Sequence, residues 1–194
     1  NIDYITQPIL PTHYFVENPN LYEDLRAQEL SELKKILNSY FIIHNSLTRI
    51  ECFDVAHLAG TNPTASMVTF INGEADKRLY RHFRIRNRKG NDDIASLSEV
   101  ARRRLRHLSD WGKPDLIIVD GGVGQVNAFT EVLYSNKVDI PVVGIAKDPD
   151  RLIVGDQKVK LQGATLYLVS RIRDEAHRFA RAYHHKLVKK SLLQ

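Results

Sequence analysis

The most restrictive feature of this 194-residue chain is the run Leu116-Ile117-Ile118-Val119-Asp120, followed at once by Gly121-Gly122-Val123-Gly124. Four apolar residues without polar alternation predict a strand buried on both faces. Such a strand needs cover on each side, which implies an α/β sheet with helices on both faces. The glycines then turn the chain into a helix predicted from Gln125 to Tyr134. Asp120 stands at the tip of the buried strand, where its charge needs compensation.

A second strand, Ile50-Glu51-Cys52-Phe53-Asp54-Val55-Ala56-His57, also carries an aspartate near its end. Ala65 to Ile71 predicts another strand, Asn72-Gly73 a tight turn, and Leu79 to Ile85 a further strand, together an antiparallel meander. The helix predicted from Ile94 to Leu108 follows Asp92-Asp93 and has arginines near its end, a polarity that suits the helix dipole. Pro141 to Ala146 is a fifth strand, residues 151–162 form a hairpin turning at Gly155-Asp156, and Leu166 to about Leu192 is a long last helix. Ahead of these, residues 1–20, with Pro8, Pro11 and Pro19, read as an extended arm, and Leu21, Leu25, Leu30, Leu33 and Leu37 mark a helix reaching about Tyr40. We divide the chain into a lead-in of residues 1–48 and a domain of residues 49–194. The order of elements is ribonuclease-H-like: a mixed sheet, antiparallel meander plus parallel strands, in which the strand ending near Asp54 is parallel and adjacent to the one ending at Asp120.

A hydrophobic content of 43% supports one well-buried core. No stretch approaches the ~18–20 apolar residues that span a bilayer, and the N-terminus lacks the basic-then-apolar pattern of a secretory signal. One cysteine, Cys52, excludes an internal disulfide and suits the cytoplasm. It lies in an apolar strand and reads as a small buried hydrophobe. The net charge of +5 is mild, but its distribution is informative. Lys77, Arg78, Arg81, Arg84, Arg86, Arg88, Lys89, Arg102, Arg103, Arg104 and Arg106 form one group, and Arg171, Arg173, Arg178, Arg181, Lys186, Lys189 and Lys190 a second. Clustered cations suit a polyphosphate partner through counterion release, although a solvated face is the plainer account of either group alone.

If the strands holding Asp54 and Asp120 are neighbours, both carboxylates meet at the carboxyl edge of the sheet, where α/β folds bind ligands. A divalent cation removes their repulsion, and Mg²⁺ favours one or two carboxylates with waters and phosphate oxygens. Two ions ~3.5–4 Å apart can clamp both oxygens of an in-line phosphoryl displacement. Either aspartate alone has a plainer reading as a turn cap. The third element is Arg173-Asp174-Glu175-Ala176-His177-Arg178-Phe179-Ala180 on the last helix. Its buried stripe is predicted as Val169, Ile172, Ala176, Phe179, Tyr183 and Leu187, which leaves His177 on the border, as a metal ligand or a proton carrier. Asp174 is a candidate to orient its imidazole, and Glu175 is the reserve carboxylate. The turn at Gly121, with Gln125 opening the next helix, can admit a phosphate or be only a tight turn. Lys147, Arg173, Arg178 and Arg181 are further candidates for a phosphate backbone, and His57 for the cleft.

Phe53-Asp54-Val55-Ala56-His57, Ala65-Ser66-Met67-Val68, Val119 to Gln125, Gly144-Ile145-Ala146-Lys147 and Arg171 to Ala180 together resemble the C-terminal endonuclease domain of the UvrC family. The resemblance covers residues 49–190, in order and with fitting spacing. It implies an Asp-Asp-His site at Asp54, Asp120 and His177, dependence on Mg²⁺ or Mn²⁺, and incision of lesion-containing duplex DNA on the 5′ side in nucleotide excision repair. It also implies a cytoplasmic protein, a domain that is monomeric, and a segment preceding residue 1 that binds UvrB. A tandem helix-hairpin-helix module is expected after Gln194, and the motif of the 3′-cutting nuclease is not found in this chain. Two positions depart from the family pattern: Ala56 stands where Ser is usual and Val123 where Lys is frequent. A non-catalytic module of the same fold would be expected to lose one of the three site residues. A ribonuclease or transposase-type relative is the remaining reading.

Overall fold

The computed structural model describes residues 19–43, 45–56, 64–85, 93–146 and 151–191. Residues 1–18 of the predicted arm and the candidates His57 and Lys147 lie outside them. The elements in chain order are α1 (Pro19–Leu37), β1 (Arg49–Ala56), β2 (Thr64–Ile71), β3 (Glu74–Ala75), β4 (Arg81–Arg84), α2 (Asp93–Leu105), β5 (Leu116–Asp120), α3 (Val123–Ser135), β6 (Val142–Ala146), β7 (Arg151–Val154), β8 (Gln157–Lys160) and α4 (Gly163–Ser191).

The strands form one sheet in the order β3-β2-β1-β5-β6-β7-β8, with β4 also paired to β2. β1 is antiparallel to β2 and parallel to β5, β5 is parallel to β6, and β6, β7 and β8 continue antiparallel. This is the ribonuclease-H-like arrangement that the strand order predicts.

The unbroken apolar run of β5 explains the layering. Leu116 and Ile118 face a core that includes Leu33 and Leu37 of α1 and Leu168, Val169, Ile172 and Ala176 of α4. Ile117 and Val119 face the opposite core, with Leu97, Val100 and Ala101 of α2 and Val126, Phe129 and Leu133 of α3. Helices therefore cover both faces. α1, from the lead-in segment, is part of the packing: Leu33 and Leu37 are fully buried, each worth roughly 1.5–3 kcal/mol. Arg171 of α4 binds both carboxylate oxygens of Glu29 in α1 at 2.9 and 2.8 Å, and donates to the carbonyl of Gly73 at 3.0 Å.

The meander differs from prediction in one respect. Asn72 and Gly73 both have positive φ, at 50° and 81°, as the two-residue hairpin turn requires. The strand expected over Leu79–Ile85 is present as β4, limited to Arg81–Arg84, and the chain reaches it through the short β3 and a 3₁₀ turn over Lys77–Leu79. Asp76 causes the break, because its carboxylate accepts the Arg78 backbone N–H at 3.1 Å and caps the turn.

Charge also turns inward. Glu51, in the middle of β1, is fully buried; Arg104 of α2 binds it through two bonds of 2.7 and 2.8 Å, and Arg49 adds a third of 2.9 Å. Arg104 is 1% exposed. Its expected place in the DNA-facing basic group is therefore corrected: it neutralises a buried glutamate. No helix among the described residues is long and apolar enough to cross a membrane.

Candidate metal centre

Register places the two aspartates together. Phe53 of β1 pairs with Val119 of β5 in parallel, so Asp54 and Asp120 are the next residues on adjacent strands. Alternation turns both toward the α4 side, with Cys52 and Ile118 beneath them. α4 crosses that face, and Ile172 and Ala176 bury against the sheet. His177, one step round the helix, is carried over the strand tips. Its Nδ1 lies 2.9 Å from Asp120 Oδ2 and 3.5 Å from Asp54 Oδ2.

Asp120 is 4% exposed, Asp54 13% and His177 40%, so the cluster is closed below and open on one side. One ligand atom from each residue lies within 4.8 Å of the others. The Nδ1 of His177 is buried, yet it forms no hydrogen bond of acceptable geometry among the described residues. Two carboxylate oxygens and an imidazole nitrogen are donors that a small divalent cation accepts, so the residues present fit a metal ion. Below them, burial first and then the two carboxylates push the Cys52 thiol well up. It stays protonated, in keeping with its reading as a small buried hydrophobe.

The glycine turn supports this geometry. Gly122 caps α3, and the Gln125 side chain reaches back to accept the Gly122 N–H at 2.7 Å. The Gln125 carbonyl is thus engaged in capping, and α3 starts at Val123, two residues before the predicted position. Gly144 of β6 holds the turn from the other side: a Cβ there would lie 2.6 Å from the Gly121 carbonyl oxygen and 2.8 Å from Val126 Cγ2. Gly144→Ala is expected to lower stability by about 1–3 kcal/mol through overpacking, read by urea unfolding. A wild-type midpoint would show that β6 yields without disturbing the turn after Asp120.

Other candidates are placed differently from expectation. Asp174 does not orient the imidazole; it is 71% exposed and lies against Arg173 at 3.2 Å, because its helical phase points it away from the sheet. Glu175 is not a spare ligand at the cluster. Arg178 holds it through two 2.6 Å bonds and Tyr80 donates to it at 2.9 Å. The Arg178 guanidinium, followed by the Tyr80 hydroxyl, sets its carboxyl below the usual range. Arg178 is more than half exposed even so, and Arg181 is exposed one turn beyond His177. Tyr80 and His82 were not singled out from the sequence. The alternation Tyr80-Arg81-His82-Phe83 could have shown them, since Phe83 faces the α2 core and its neighbour must face α4.

The pattern described as "UvrC RNAse H endonuclease domain" matches residues 38–180. The chain belongs to that family. A UvrABC system protein C from Syntrophomonas wolfei is 41% identical over 180 residues, 88% of this chain and 29% of that protein. One from Caldicellulosiruptor saccharolyticus is 40% identical over 185 residues, 91% and 30%. One from Methanosarcina acetivorans is 45% identical over 152 residues, 75% and 29%. The chain spans about three-tenths of the length of these relatives. Among solved structures, a Ciona intestinalis endonuclease V in complex with an inosine-containing DNA aligns with a TM-score of 0.41 at 13% identity, over 72% of this chain and 59% of that one. That likeness is too distant to inform the chemistry.

Proposed function

We propose that this chain is a metal-dependent DNA endonuclease domain which hydrolyses a phosphodiester on the 5′ side of a lesion in nucleotide excision repair. The observation that carries this reading is the convergence of Asp54, Asp120 and His177, whose ligand atoms lie within 4.8 Å of one another. Membership of the UvrC endonuclease family supports the substrate. In this reading residues 49–194 are the catalytic domain, residues 1–48 a lead-in whose helix docks on it, and the domain is monomeric. UvrB is met through a part of the whole protein outside this chain, and the setting is cytoplasmic.

Asp54 and Asp120 would hold Mg²⁺ or Mn²⁺, with the Nδ1 of His177 as the third donor. A bound divalent cation makes coordinated water a nucleophile at neutral pH and neutralises charge on the phosphate. The protein's own part is placement. The sheet fixes the two carboxylates, Cys52 and the core exclude water from below, and α4 brings the imidazole over the open side. Arg178 and Arg181 on α4, with Arg173 beside them, would lie along the DNA backbone without reading bases. The amino end of α3, beside Asp120, favours an approaching phosphate.

The test uses the full-length protein. Asp54→Ala should abolish 5′ incision of a lesion-bearing duplex while the 3′ cut persists; retained 5′ incision would refute the assignment. In a thermal-shift titration, Mn²⁺ at about 100 times its Kd should add roughly 2.7 kcal/mol of stability. The same addition should not stabilise Asp54→Asn.

A further inference from the structure

The register Asp54–Ser66–His82 runs in one line across β1, β2 and β4, on the face that α4 covers. At the far end of this line the His82 imidazole meets two rings of α4. The Phe179 and Tyr183 centroids are each 3.9 Å away, with planes within 13° and 15° of the imidazole. Two rings cannot share one face at that distance, so His82 is sandwiched between them. Phe179 and Tyr183 are one helical turn apart, and His177 precedes Phe179 by two residues. Tyr80 provides a second attachment. Its hydroxyl donates to Glu175 Oε1 at 2.9 Å, and its ring meets Phe179 edge-on at 4.9 Å. His177 therefore lies between two residues, Glu175 and Phe179, that β4 and its lead-in turn hold in place.

The magnitude of a slip shows why this matters. With an overall helix radius of about 5–6 Å, a rotation of roughly 20° about the α4 axis moves a side-chain tip by about 2 Å. Metal ligands tolerate deviations of only about 0.2 Å. The core packing of Ile172 and Ala176 and the bonds from Arg171 to Glu29 oppose such a rotation on the amino-terminal side of His177. An aromatic sandwich and a directed hydrogen bond resist it strongly.

We propose that His82 and Tyr80 are positioning residues. They fix the rotation of α4 and thereby hold the His177 nitrogen against the two carboxylates. The proposal rests on the reading of Asp54, Asp120 and His177 as a metal centre. It assigns to the stacked imidazole of His82 a role carried by its ring shape, separate from any chemistry at its nitrogens.

The experiment compares His82→Ala with His82→Phe in the full-length protein, the second keeping a flat ring between Phe179 and Tyr183. Mn²⁺ affinity, measured by calorimetry, should fall about tenfold in His82→Ala and stay within about twofold in His82→Phe. A metal-free readout accompanies it: the His177 imidazole resonances should move in His82→Ala and keep their wild-type positions in His82→Phe. Leu133→Ala, a core truncation on the opposite sheet face, controls for simple loss of stability and should leave both readouts unchanged. Wild-type affinity and resonances in His82→Ala would overturn the proposal, as would equal losses in the Ala and Phe variants. Wild-type Mn²⁺ binding by Asp54→Asn would instead overturn the metal-centre reading, and the His177 resonances would still decide whether His82 positions α4.

Discussion

Asp54→Asn and Asp120→Asn should each slow incision by on the order of 10³-fold, and the double variant should be no slower than either. The two carboxylates are the next residues on adjacent parallel strands, and their oxygens share one 4.8 Å cluster with His177 Nδ1. In the proposed function they act as a unit, since a divalent cation held by one aspartate and one histidine is held poorly. A metal ion contributes several kcal/mol to phosphoryl transfer, and each 1.36 kcal/mol is tenfold in rate. Removing either ligand loses most of that contribution, so the second removal finds little left to lose. Asn preserves side-chain volume, so folding should persist. Single-turnover cleavage of a lesion-bearing duplex is the measurement. Multiplicative losses in the double variant would mean that the aspartates have separate roles and would sink the shared-centre account.

The second large effect is on stability. Glu51→Gln should destabilise the fold by about 3–5 kcal/mol, the usual result of stripping one partner from a buried ion pair. That is a large part of the roughly 5–15 kcal/mol that holds a domain together. Arg104 would keep its charge in the core under α2 with no carboxylate opposite it, and Arg49 would lose the same partner. Replacing the pair together, as Glu51→Met with Arg104→Met, should recover most of the loss, because the fully buried Arg104 charge is removed with its partner and only Arg49, at 13% exposure, still lacks one. Urea unfolding of the two variants beside the wild type decides the matter. A Glu51→Gln midpoint close to wild type would show that solvent reaches this pair, contrary to its burial.

The pair also shows where sequence reasoning ends. The layers were legible because Leu116 to Val119 offers no polar face, and helices must therefore cover both sides. The hairpin at Asn72-Gly73 was legible because both positions need a positive φ that few residue pairs adopt. The neighbouring aspartates followed once β1 and β5 were taken as parallel. Arg104 was misassigned because it stands in a run of arginines, and nothing local shows that its partner is a glutamate 53 residues away. Glu51 carried a signal, a charge set between Ile50 and Cys52 in mid-strand, which called for a buried counter-charge. Asp174 and Glu175 were misplaced for different reasons: Glu175, two positions from His177 at about 100° per residue, faces another surface, whereas Asp174, only about 60° round from His177, turns to solvent and Arg173. Alternation gives the face of Tyr80 and His82, but their contacts depend on where α4 crosses that face, which no local pattern specifies.

The sheet order has a consequence for how copies of the chain behave in concentrated solution. Its margins are β8 on one side, and β3 with β4 on the other. Each of these strands has four residues or fewer. β8 presents exposed Lys158 and Lys160, and β4 carries Arg81 and exposed Arg84. Short margins with cations on β4 and β8 are poor templates for edge-to-edge pairing, because a second copy would bring like charge to an already brief ladder. These are the same kind of side chain that suits a polyanion, and association between copies should grow as added salt screens those margins.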